Sequence, residues 1–193
     1  DDFIGAAEYL INNGYTDKHH LAIQGGSNGG TLVTAVANQR PDLFAAVLGH
    51  VPVTDMLRFS LFTIGKAWIS EYGDSHAKGE VDNILKWSPL HTIKTAKYPA
   101  MLITTGDHDD RVVPAHSYKY MAELQYRAGN GKVPNQSPLL IQIGKNKGHS
   151  GGGGKDEGIN DLAKEIAFIA RIMNIKWIDD PVVEKDTYSE RLY

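Results

Sequence analysis

The sequence predicts an α/β protein whose mostly parallel sheet is flanked by helices, and three observations carry that prediction. Four short apolar runs, at 21–23, 44–48, 100–105 and 139–143, alternate with helix-like stretches, the pattern of strands joined by helical crossovers. A glycine-rich stretch, Gly25-Gly26-Ser27-Asn28-Gly29-Gly30, links the first run to a helix. The three most unusual loops, around Ser27, around Asp107–Arg111 and around His149, each follow one of the runs. In a parallel sheet this brings them together at the carboxyl edge, where sites form.

Each element has its own signal. Phe3, Ile4, Ala7, Leu10 and Ile11 recur at helical spacing behind two acidic residues and before Asn12-Asn13-Gly14, which predicts a helix over 2–13. Leu21-Ala22-Ile23 reads as a strand, and the next helix runs from Thr31 to Gln39, stopped by Arg40-Pro41. Phe44–Leu48 reads as a second buried strand. Residues 55–73 are apolar and aromatic without a steady period and are expected to form short helices, and 73–99 is mostly polar with a helical piece at 81–85. Ala100–Thr105 is a third strand, Pro114 opens a helix to about Arg127, and Leu139–Ile143 is a fourth strand. A last helix carries Ile159, Leu162, Ala163, Ile166, Ile169, Ala170 and Met173 on one face. One domain is expected over 1–179, followed by a tail at 180–193 that looks disordered after Pro181.

Length and composition narrow the function. The 193 residues suffice for one sizeable core. A net charge of −3 gives no reason to expect nucleic-acid or anionic-membrane partners. No apolar run approaches a membrane span, and the first residues show no signal-peptide pattern. The chain has no cysteine, so thiol chemistry and disulfides are excluded and a cytoplasmic location is expected.

A serine between glycines where a strand becomes a helix is the signature of a nucleophile elbow. The turn is sharp enough to strain the serine backbone, and Gly25 and Gly29 are expected to relieve the crowding. The helix that follows aims its first amides at the place where negative charge develops in acyl transfer. Gly-rich junctions also cradle phosphate, but neither Gly-x-x-x-x-Gly-Lys-Ser/Thr nor Gly-x-Gly-x-x-Gly is present. A serine hydroxyl needs a base, and a histidine needs a carboxylate to fix its tautomer. Here the order along the chain is Ser27, an aspartate within 107–110, then His149, the order of α/β-hydrolases. Of eight histidines only His149 follows the last strand and sits among glycines. His50 follows a strand and is a weaker competitor. The acid loop also reads as a cluster of metal ligands, though without a second ligand cluster. Arg111 fits either a surface ion pair or a donor fork for a substrate carbonyl. Trp68 and Tyr72, four apart, share a helix face and fit either core packing or an aromatic wall for an apolar side chain.

Taken together, the chain resembles the C-terminal part of the catalytic domain of the prolyl oligopeptidase family. The matching segments are Gly-Gly-Ser-Asn-Gly-Gly at 25–30, Ala-Asn-Gln-Arg-Pro-Asp-Leu-Phe at 37–44, Ala-Trp at 67–68 with Glu-Tyr-Gly at 71–73, Asp-His-Asp-Asp-Arg-Val-Val-Pro at 107–114, Gly-His at 148–149 and Phe-Ile-Ala-Arg at 168–171. The resemblance implies an α/β-hydrolase fold with Ser27 as nucleophile, Asp109 as the acid and His149 as the base. It implies an oxyanion donor in the Asn28 amide, a proline ring stacked on Trp68, a pocket lined by Val53, Tyr72 and Val112, and a peptide carbonyl held by Arg111. No cofactor or metal is implied. The family's β-propeller, the earlier strands of its sheet and a tyrosine that completes the oxyanion hole find no counterpart in these residues.

The resulting expectation is a serine endopeptidase that hydrolyses short peptides after proline through an acyl-enzyme. Its partners would be such peptides and the missing N-terminal part of its own parent chain. Peptide macrocyclisation, a carboxylesterase and an inactive truncated fragment are the alternatives.

Overall fold

The structure, a computed structural model, describes residues 1–130, 135–152 and 154–176; the tail expected at 180–193 lies outside these. The chain runs α1 (Asp2–Asn12), β1 (Ala22–Gly26), α2 (Asn28–Gln39), β2 (Ala46–His50), 3-10 turns at Phe59–Leu61 and Gly65–Trp68, α3 (Ile69–Tyr72), α4 (Glu80–Leu85), a 3-10 turn at Pro89–His91, β3 (Ala100–Gly106), α5 (Ala115–Gly129), β4 (Leu139–Gly144) and α6 (Lys155–Ile172). The four strands form one sheet in the order β1-β2-β3-β4, every neighbouring pair parallel. All four expected strands are present, and the α/β-hydrolase expectation holds.

All four strands end later than their apolar runs, β3 and β4 by one residue and β1 and β2 by more, for a common reason. Strand β1 extends through Gly25 and Gly26, which pair with Gly49 and His50. Strand β2 begins at Ala46 rather than Phe44 and likewise runs on to His50. A ladder is held by backbone groups, so it continues past the last apolar side chain wherever the neighbouring strand continues. Phe44 is buried ahead of the strand, in the main core.

Alternation along the inner strands sorts the core into two faces. Val47, Met101 and Ile103 point to the face covered by α1, α2 and α5, where Val33, Val36, Tyr120, Met121 and Leu124 are buried with them. Ala46, Leu48 and Leu102 point to the opposite face and meet Phe168, Ile169 and Ile172 of α6. The apolar face expected of the last helix is therefore divided. Ile169 packs on the sheet, whereas Ile159, Leu162 and Ile166 are exposed. A smaller cluster sits over the carboxyl edge: buried Val53, Met56, Phe59, Ile84 and Val112, with Trp68, Tyr72 and Trp87 packed against it. Among the described residues no helix is long and apolar enough to cross a membrane.

Candidate active site

The junction between β1 and α2 has the geometry that its glycines suggest. Ser27 is the N-cap of α2 and holds φ 55°, ψ −116°, a conformation costly for a residue with a side chain. Its amide donates to the His50 carbonyl at 2.8 Å, and its carbonyl accepts from Thr31 N. A Cβ on Gly25 would lie 2.2 Å from the Gly29 carbonyl oxygen, so helix and strand meet here backbone to backbone. The expectation for Gly29 needs correcting: a Cβ there would meet nothing within 4 Å. The second crowded position is Gly30, whose Cβ would approach the His50 carbonyl at 2.9 Å and Pro52 at 3.0 Å.

The three loops converge. His149 Nε2 lies 3.1 Å from Ser27 Oγ, and His149 Nδ1 lies 2.8 Å from Asp109 Oδ2. Asp109 is buried, and its other oxygen accepts from the amides of Arg111 and Val112 at 3.0 and 2.9 Å. The carboxylate is thus fixed by its own loop before it meets the imidazole. Asp107 turns instead to His108 Nδ1 at 2.8 Å and to the Lys147 amide, and Asp110 stays exposed. With Nδ1–H donating to Asp109, Nε2 is the acceptor that can take the Ser27 proton. Asn28 is the first residue of α2, so its N–H has no acceptor inside the helix and stands beside Ser27.

His50, the weaker competitor, lines the same cavity as Ser27 and His149, but both its ring nitrogens are bonded to other partners. Its ring bonds Gln24 Nε2 and Thr104 Oγ1, both at 2.8 Å, and Gln24 goes on to Glu165 of α6 at 3.0 Å. His116 is also no candidate base. Buried at the start of α5, it accepts the Asp55 amide at Nδ1, and burial pushes its pKa down to about 4.

The residues expected to line a pocket lie in the satellite cluster. Val53 and Val112 are buried, and Trp68 and Tyr72 are half-buried. The Tyr72 ring meets Phe59 edge-on at 5.4 Å, Trp68 at 6.5 Å and Trp87 at 6.0 Å. Burial, with Glu71 nearby, pushes the Tyr72 hydroxyl up to about 12, so it remains a donor, and it donates to Asn28 Oδ1 at 2.8 Å. The Arg111 carbonyl accepts from Thr63 Oγ1, while its guanidinium enters no ion pair or hydrogen bond among the described residues. Sequence reasoning missed Phe59, Trp87 and Glu71. The two aromatics were visible as large apolar residues; Glu71 stood within the Glu-Tyr-Gly match at 71–73, but no sequence feature assigned it a role.

Sheet, elbow and convergent loops together define an α/β-hydrolase. The chain belongs to the prolyl oligopeptidase family: the pattern of Peptidase_S9, the prolyl oligopeptidase family, matches residues 1–176. It is 50% identical to a prolyl endopeptidase of Dictyostelium discoideum over 91% of this chain and 23% of that one. It is 43% identical to a dual function macrocyclase-peptidase of Galerina marginata, over 91% of this chain and 24% of that one. Prolyl oligopeptidase B from Galerina marginata, bound to a 35mer hydrolysis and macrocyclization substrate, superimposes with a TM-score of 0.85 at 40% identity, over 92% of this chain and 24% of that chain. The chain spans about a quarter of the length of the relatives it matches.

Proposed function

We propose that these residues form part of a serine endopeptidase that cuts short peptides on the carboxyl side of proline. One observation carries the reading: the continuous line Ser27 Oγ–His149 Nε2 (3.1 Å) and His149 Nδ1–Asp109 Oδ2 (2.8 Å), in a chain of the prolyl oligopeptidase family. His149 takes the hydroxyl proton as Ser27 Oγ attacks the carbonyl, and the Asn28 amide donates to the oxygen that becomes negative. His149 then returns the proton to the leaving amine, and a water repeats the sequence on the acyl-enzyme. Trp68, Tyr72, Val53 and Val112 receive the proline ring on apolar faces, and Arg111 holds a neighbouring peptide carbonyl. The exposed stripe of Ile159, Leu162 and Ile166 on α6 is covered by the remainder of a longer parent chain, a reading supported by the chain's span of a quarter of its relatives.

In the complete enzyme, Ser27→Ala is expected to lower turnover of a prolyl reporter peptide by at least about 10⁴-fold. Unchanged hydrolysis sinks the assignment. A preference for a small ester over a prolyl amide turns the reading toward a carboxylesterase. Failure of a fluorophosphonate to label Ser27 in folded protein turns it toward an inactive chain. Macrocyclisation is the second reading, favoured by the dual function macrocyclase-peptidase among the relatives. There a peptide amine replaces water on the acyl-enzyme, and the product is lighter than the hydrolysed peptide by one water.

A further inference from the structure

Asn28 belongs to two parts of the site at once. Its backbone amide opens α2 beside Ser27. Its side chain crosses to α3, where Nδ2 donates to Glu71 Oε1 at 3.0 Å and Oδ1 accepts from the Tyr72 hydroxyl at 2.8 Å. Chemistry forces this orientation. A carboxylate can only accept, so Asn28 must present its amide nitrogen to Glu71, and its oxygen is left for the tyrosine proton. Tyr72 spends its only donor on that bond, and its ring is gripped by Phe59, Trp68 and Trp87. The aromatic wall and the amide beside Ser27 are therefore the two ends of one hydrogen-bonded unit.

A bond between exposed side chains adds little to stability, so Glu71 has no evident structural reason to be placed against Asn28. Its effect is on register. Without the carboxylate, the Asn28 amide group is free to rotate, and Tyr72 loses a fixed acceptor. We infer that Glu71 is a positioning residue: through the Asn28 side chain it registers the Tyr72 wall against the Asn28 backbone amide, so that a ring filling the pocket sets the oxyanion donor and selectivity for proline appears in kcat rather than in KM. The inference rests on the endopeptidase reading above.

The test uses the complete enzyme and two reporter peptides that differ only in proline or alanine before the cut. Glu71→Leu keeps bulk and removes the acceptor. The proline-to-alanine ratio of kcat is expected to fall about tenfold, the worth of one well-placed hydrogen bond, while the corresponding ratio of KM stays within about twofold. Glu71→Gln retains an acceptor oxygen and is expected to restore the kcat ratio to within about twofold of the unaltered enzyme. Tyr72→Phe cuts the unit from its other end and should reproduce the Glu71→Leu pattern, which keeps the test intact if Glu71→Leu does not fold. An unmoved kcat ratio, a change confined to KM, or Glu71→Gln as impaired as Glu71→Leu overturns the inference alone. No turnover of either reporter by the unaltered enzyme overturns the endopeptidase reading, and this inference with it.

Discussion

Helix α2, packed on one face of the sheet, has eight of its twelve residues buried. Helix α6 has eighteen residues and is more sharply amphipathic, yet none of them is buried. The site lies on the border between these two regions. Ser27 caps α2 on the packed side, while Glu165 of α6 reaches Gln24 on the open side. Amphipathicity reports that a helix has an apolar face, not that its own chain supplies the cover. On the α2 side the crossover topology brings the cover within the same stretch of sequence. On the α6 side only the last turns, Phe168, Ile169 and Ile172, find it.

The sharpest test of that contrast is a pair of truncations measured by urea denaturation of this chain. Leu124→Ala removes a fully buried side chain of α5 from the main core and is expected to cost about 4 kcal/mol. Similar costs for Leu124→Ala and for a truncation on α6 break the contrast.

Acid should act next most strongly, and on the packed side. Burial lowers the His116 pKa from 6.5 to about 4. The unfolded chain therefore takes up this proton near its ordinary value and the folded chain only well below it. Stability from this group is complete above pH 6.5 and is lost as pH falls toward 4, by about 3 kcal/mol at most. His116→Asn, which can still accept the Asp55 amide, is expected to flatten that part of a stability–pH profile. An unaltered slope between pH 4 and 6.5 excludes His116 as its source.

The smallest effect belongs to the open side. Leu162 is 56% exposed, so Leu162→Ala is expected to change the stability of this chain by less than about 0.5 kcal/mol. In a longer protein that covers the α6 stripe the same substitution should cost about 2 kcal/mol or more. Equal values in the two settings show that nothing covers it.

The same contrast explains what could be read from the sequence. All four strands and the three loops at their carboxyl ends were legible, because a parallel sheet writes its strands as apolar runs and its turns as glycines. Which aspartate meets His149 was not legible from spacing, since Asp107, Asp109 and Asp110 are near neighbours. That choice depends on which carboxylate its own loop buries, and the amides of Arg111 and Val112 turn Asp109 inward. The resemblance had pointed to the same residue. The division of α6 was hidden because periodicity does not count neighbours. Glu71 stood in the Glu-Tyr-Gly match at 71–73, yet its role was hidden because an exposed acid on a four-residue helix looks like any solvated charge.

The parallel sheet also has a consequence in time. None of its strand pairs can close as a simple hairpin, and Ser27 and His149 stand 122 residues apart. Contacts of such separation repay their loop-closure entropy only late in folding. A chain still emerging or partly unfolded thus carries the serine without its imidazole, and its hydroxyl has ordinary reactivity. During refolding, labelling of Ser27 by a fluorophosphonate should rise only with the slowest phase, so that reactivity arrives together with the finished sheet.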